Sequence, residues 1–157
     1  MTTHPSYSKQ SKKLTKTKQN TQLKKAKEKL TELKGKRIAV LGLAFKPDTD
    51  DMREARSIPI INQLLTEGAD VTAYDPVAVS NAKSIFGDKI KYASSAINCL
   101  NDTDCCIIVT EWQEFKKLKP EDLTKNMRTP ILIDGRRIIN PEEFSNKLNF
   151  TAIGLGQ

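Results

Sequence analysis

Histidine, cysteine and glycine are all scarce in this sequence, and each scarcity removes a class of chemistry. The one histidine, His4, stands in a polar leader, far from the three cysteines Cys99, Cys105 and Cys106. Neighbouring Cys105 and Cys106 lie in an apolar run, where they would point to opposite faces of a strand and assemble no metal site between them. All three read as small buried hydrophobes in a reducing compartment. No apolar run approaches the length that spans a bilayer, and Met1 to Asn20 lacks the apolar stretch of a secretory signal. A cytoplasmic location is the expectation. The seven glycines nowhere form the three-glycine fingerprint of a dinucleotide-binding turn.

With 157 residues the chain suits one domain around one core. The net charge of +7 suggests a polyanionic partner until it is divided along the chain. Met1 to Lys34 holds ten lysines against Glu28 and Glu32, which gives +8, so the remainder carries 7 − 8 = −1. The body is close to neutral, which disfavours nucleic acid as a partner of the folded domain. Residues 1–22, rich in Ser, Thr, Lys and Gln, are expected to be a disordered leader. That leader reads either as a solvated tail or as a handle for an anionic partner. Residues 23–35 follow as a linker helix, in which Leu23, Ala26, Leu30 and Leu33 recur at helical spacing before Gly35.

From residue 36 to 157 apolar runs alternate with amphipathic stretches. Strands are expected at Lys36–Gly42, Asp70–Asp75, Lys89–Tyr92, Cys105–Thr110, Pro130–Asp134 and Phe150–Gly154. Helices are expected at Ser57–Thr66, Ser80–Phe86, Ser95–Leu100 and Glu121–Met127, with a last one starting at Pro141. This rhythm predicts an α/β fold, a doubly wound Rossmann-like parallel sheet of about six strands.

Ligands of such sheets bind beyond the carboxyl ends of the strands. Two polar segments fall there, Gly42 to Ala55 after the first strand and Asp134 to Arg137 after the fifth. In the first, Phe45, Lys46 and Pro47 fill a turn that a dinucleotide would need bare, and Asp48 to Asp51, before Met52, read as a cap for the helix that follows. Asp75 ends the second strand as either a turn cap or a ribose-binding acid. Lys46, Arg53 and Arg136 read singly as surface charges, but together at strand ends of one sheet they favour a phosphate-containing small molecule.

The string Ile38-Ala-Val-Leu-Gly-Leu-Ala-Phe-Lys-Pro-Asp-Thr-Asp-Asp-Met-Arg-Glu-Ala55 resembles the opening of the third domain in the UDP-glucose/GDP-mannose dehydrogenase family. Gly68-Ala-Asp-Val-Thr-Ala-Tyr-Asp-Pro76, Val109-Thr-Glu-Trp112 and Ile133-Asp-Gly-Arg136 follow in the family's order, and the pattern is nearest to bacterial UDP-glucose 6-dehydrogenases. The resemblance implies an oxidation of UDP-glucose to UDP-glucuronate that consumes NAD. It also implies that Phe45, Lys46 and Arg136 contact the nucleotide sugar, while Arg53 reaches NAD held mainly by another domain. Neither an NAD-binding domain nor a catalytic cysteine segment is found in the sequence, so the chain alone is expected to be inactive. A complementary dehydrogenase fragment is then an implied partner. The other readings are a non-catalytic nucleotide-sugar-binding or partner-docking protein and a free-standing NAD-binding protein, the last disfavoured by the missing glycines.

Overall fold

The computed structural model describes residues 22–153, and the leader up to residue 21 lies outside them. A helix, α1, covers residues 22–30. The sheet and its crossovers follow in the order β1 (Arg37–Leu41), α2 (Ser57–Thr66), β2 (Asp70–Tyr74), α3 (Val79–Phe86), β3 (Lys91–Tyr92), α4 (Ala96–Leu100), β4 (Cys105–Ile108), α5 (Gln113–Lys116), α6 (Pro120–Asn126), β5 (Ile131–Asp134), α7 (Pro141–Ser145) and β6 (Asn149–Ala152). The six strands lie in the order β3-β2-β1-β4-β5-β6, and every pairing is parallel. This is the doubly wound sheet expected from the alternation of strands and helices.

Two apolar layers hold it, one on each face, and the side-chain period of two sorts the residues between them. Ile38, Val40, Cys105, Ile107, Ile131 and Ile133 face one layer, which α1, α2 and α3 complete with Leu23, Ala26, Ile60, Ile61, Leu64, Ala82 and Phe86. Ala39, Leu41, Cys106, Ile108 and Leu132 face the other, covered by Leu100, Phe115, Leu123 and Phe144 from α4 to α7. Strand β4 is buried at all four positions, as a strand roofed on both sides must be. Cys105 and Cys106 therefore sit in different layers, as their adjacency required.

Three local details differ from the sequence reading. Helix α1 ends at residue 30, where Thr31 takes a left-handed φ of 74°, and Gly35 with φ 76° marks a later turn instead of the helix end. None of Asp48 to Asp51 caps α2: that helix starts at Ser57 as expected with Arg56 at its cap position, and residues 45–51 close on themselves through a 2.7 Å bond from Phe45 N to the Asp51 carbonyl. The run of small acids thus shapes a loop. The one-turn helix α5 carries no apolar periodicity long enough to announce itself.

Candidate functional site at the carboxyl edge of the sheet

Strand β1 ends at Leu41, and its neighbours β2 and β4 lead their crossovers away on opposite sides, which opens a crevice at this edge. Gly42 makes the first turn with φ 100°, in contact with the segment after β4. A Cβ there would lie 2.5 Å from the Thr110 backbone nitrogen, so only glycine fits. Thr110 Oγ1 donates to the Ala44 carbonyl at 2.8 Å, and Ser57 Oγ to the Leu43 carbonyl at 2.7 Å. The loop is pinned to β4 on one side and to α2 on the other.

Asp75, at the end of β2, ties this edge together. Its Oδ2 accepts from Leu43 N at 2.8 Å, Ala44 N at 3.0 Å and Trp112 Nε1 at 3.1 Å. Its Oδ1 accepts from Val77 N at 2.9 Å and Ala78 N at 2.8 Å, at the entrance to α3. The carboxylate is buried and its lone pairs are taken up by the protein's own donors. Of its two readings, the turn cap is the one the contacts describe. A ribose finds no acceptor there, and Ala44 and Phe45 occupy the turn where a pyrophosphate would need bare backbone. This edge does not fit a dinucleotide of its own, despite the Rossmann strand order.

The four site residues of the sequence reading all hang from this edge, in different settings. Phe45 is 52% exposed and shares a hollow of about 240 Å³ with Asp51, Arg53 and Glu54. Arg53, its side chain 89% exposed, folds back on Asp51, donating from Nε to Oδ1 at 3.1 Å and from Nη2 to Oδ2 at 2.9 Å. These bonds, led by the Arg53 side chain, hold the Asp51 carboxyl down at about 2. Asp51, Met52 and Arg53 also line a wider, open hollow of about 810 Å³ with Ile58 of α2 and with Asn81 and Ile85 of α3. Lys46 is exposed beside Phe45. Arg136 follows β5, its backbone N donating to Asp134 Oδ1 at 3.0 Å and its side chain paired with Glu111. A third hollow, about 480 Å³, lies between Pro47 and Asp48 on one side and Glu111, Trp112 and Gln113 on the other. None of these three hollows is lined by Lys46 or Arg136 themselves. The structure joins Phe45 to Arg53, and it joins the loop of Lys46 to the segment that holds Arg136.

Sequence reasoning assigned no role to Glu111 or Asp134. Burial alone raises the Glu111 carboxyl, but the Arg136 fork outweighs it and the net shift is downward. Asp134 is buried, and its Oδ2 accepts from Ile139 N at 2.8 Å, so one carboxylate shapes the whole turn from 135 to 139. Both stand in motifs that were visible in the sequence, but a carboxylate that accepts from its own chain leaves no mark in composition. Among the described residues no cluster of histidine, cysteine, aspartate or glutamate is fit to hold a metal ion. No helix among them is long and apolar enough to cross a membrane.

Fold and edge together define a Rossmann-like domain of the non-dinucleotide kind, with cations and an open aromatic at the carboxyl ends of β1 and β5. Residues 39–141 match the UDP-binding domain of the UDP-glucose/GDP-mannose dehydrogenase family, and the chain belongs to that family. It is 51% identical over 112 residues to the UDP-glucose 6-dehydrogenase AglM of Haloferax volcanii, covering 71% of this chain and 25% of that protein. Over 111 residues it is 41% identical to the UDP-glucose 6-dehydrogenase TuaD of Bacillus subtilis, covering 71% of this chain and 24% of that one. The solved structure of a UDP-glucose dehydrogenase from Pyrobaculum islandicum superposes with a TM-score of 0.75 at 29% identity, covering 89% of this chain and 30% of the other. The chain thus matches about a quarter of the length of these curated relatives.

Proposed function

We propose that this chain holds the UDP part of a nucleotide sugar while an NAD-dependent UDP-glucose 6-dehydrogenase oxidises the sugar to UDP-glucuronate. In this reading Lys46 and Arg136 neutralise the diphosphate, Phe45 packs its open face against the nucleotide sugar, and Arg53 reaches toward NAD. NAD itself is held mainly by a part of the enzyme outside this chain. The observation that carries the reading is the placement of Lys46 and Arg136 on crossovers of β1 and β5. These strands flank β4, so their carboxyl ends lie about 10 Å apart, within the combined reach of two long cationic side chains. Asp75 supports it by removing the competing dinucleotide reading. A docking role stands beside it, in which a complementary dehydrogenase fragment completes the cleft.

The test is NADH formation from UDP-glucose, measured with the chain alone, with a supplied amino-terminal half of a related dehydrogenase, and with that half alone. Turnover that requires both pieces is the expected result. Turnover by the chain alone, or no gain over the supplied half, contradicts the reading. Affinity of the isolated chain for UDP is expected to be weak, because a cleft shared between domains is half built here.

A further inference from the structure

Glu111, just beyond β4, has no part in the reading above, yet its carboxylate takes Arg136 side-on. Oε1 accepts from Nε at 3.0 Å and Oε2 from Nη2 at 2.9 Å. Both side chains are about two-thirds buried, with 31% of Arg136 and 32% of Glu111 exposed. A two-point fork of this kind fixes the plane of a guanidinium as well as its position. The root of Arg136 is held as firmly, since Gly135 N donates to the Ile108 carbonyl at 3.0 Å and Asp134 accepts from Arg136 N and from Ile139 N. Glu111 also lines the hollow that Pro47 and Asp48, next to Lys46, close from the other side.

We infer that Glu111 is a positioning residue for nucleotide-sugar binding: it clamps Arg136 along the Nε–Nη2 edge and leaves the Nη1 edge for the anion. The inference rests on Arg136 being a ligand of the diphosphate. A guanidinium has five N–H donors, and the fork uses only those on one edge. An arginine free to rotate would have to be ordered when the ligand arrives, whereas here the ordering is completed when the domain folds. The carboxylate also repels an incoming anion. Glu111 itself lines the hollow on the Lys46 side, so that repulsion reaches an anion there through solvent, which weakens it, while the fork acts at contact. Positioning is therefore the larger effect.

A double-mutant cycle on the full chain, read as the Kd for UDP by calorimetry or chemical-shift titration, tests this. Arg136→Ala is expected to weaken binding about tenfold, the scale of a lost charged hydrogen bond. Glu111→Gln is expected to weaken it roughly three- to tenfold when Arg136 is present and to change nothing in the Arg136→Ala background. Tighter UDP binding in Glu111→Gln would mean that Glu111 competes with the ligand for Arg136, and would overturn the inference. So would an unchanged Kd, or an equal loss in both backgrounds, which marks a role that does not pass through Arg136. Absence of any wild-type response at millimolar UDP removes the binding reading and the inference with it. A wild type that binds, joined to an additive cycle, removes the inference alone.

Discussion

Asp75 is the residue on which the geometry of the edge depends. Asparagine there replaces one carboxylate oxygen with an amide that cannot accept, so buried N–H groups from Leu43, Ala44 and Trp112, or from Val77 and Ala78, lose their partner. Asp75→Asn is expected to destabilise the chain by roughly 2–4 kcal/mol in urea unfolding, and a loss under 1 kcal/mol would show the hub to be incidental. Asp104 anchors the opposite, amino-terminal edge. Its carboxylate accepts from Arg128 Nε at 2.9 Å, from Thr129 Oγ1 at 3.0 Å and from Arg37 N at 2.9 Å. The bonds from Arg128 are the main cause, and with the others they outweigh burial and lower its pKa from 3.8 to about 2. A carboxyl depressed on folding adds stability that is complete above its unfolded pKa and fades as pH falls from about 4 to about 2. Asp104→Asn should lose roughly 1–2 kcal/mol at neutral pH, a figure reduced because Arg128 is half exposed, and should flatten the acid limb of stability across that window. Thermal melts from pH 2 to 7 read both, and an unaltered acid limb contradicts the assignment. A sequence shows neither hub, because an aspartate reads the same whether it faces water or a ring of the protein's own donors.

At the scale of elements, the alternation of apolar runs and amphipathic stretches was enough to find every strand and most helices. Ser57–Thr66 was placed to the residue because Ile58, Ile61, Leu64 and Leu65 mark one face and Gly68 ends it. The post-β1 loop was misread as carrying the cap of α2. Its acids resemble a cap, but the loop's closure through the Phe45 and Asp51 backbones wins over local preference. Strand β4 shows what a buried element does to chemistry. Burial pushes the Cys105 thiol up to about 12 and Cys106 well above its ordinary value, and Cys99 of α4 is raised to about 12 in the same way. Burial disfavours the thiolate of all three and keeps reagents away from them. Thiol reagents at pH 8 are expected to leave the native protein unlabelled and to label all three cysteines in denaturant. Fast labelling of the native protein would mean that the β4 layer opens.

Over the whole molecule, the charge division foreseen in the sequence matters for the site. The basic residues crowd toward the leader, so the body gains no general anion field, and under the proposed function attraction for a nucleotide sugar has to come from particular side chains at one edge. That Lys46, Arg53 and Arg136 all hang from the carboxyl edge was legible from strand ends alone. That Arg53 bends to Asp51 and Arg136 to Glu111 was not, since ion pairs between loops depend on how crossovers pack. Membership of the dehydrogenase family fixes the domain's kind. The sugar, the cofactor contact and the division of labour with the rest of an enzyme belong to the proposal.

The most direct measurement is a backbone amide chemical-shift map of the chain titrated with UDP. We expect the perturbed amides to cluster at residues 43–48, 110–113 and 135–137, and the shifts to fade in Lys46→Ala and Arg136→Ala. Perturbations confined to the amino-terminal edge around Asp104, or none at millimolar UDP, would contradict a diphosphate held between the loops of β1 and β5.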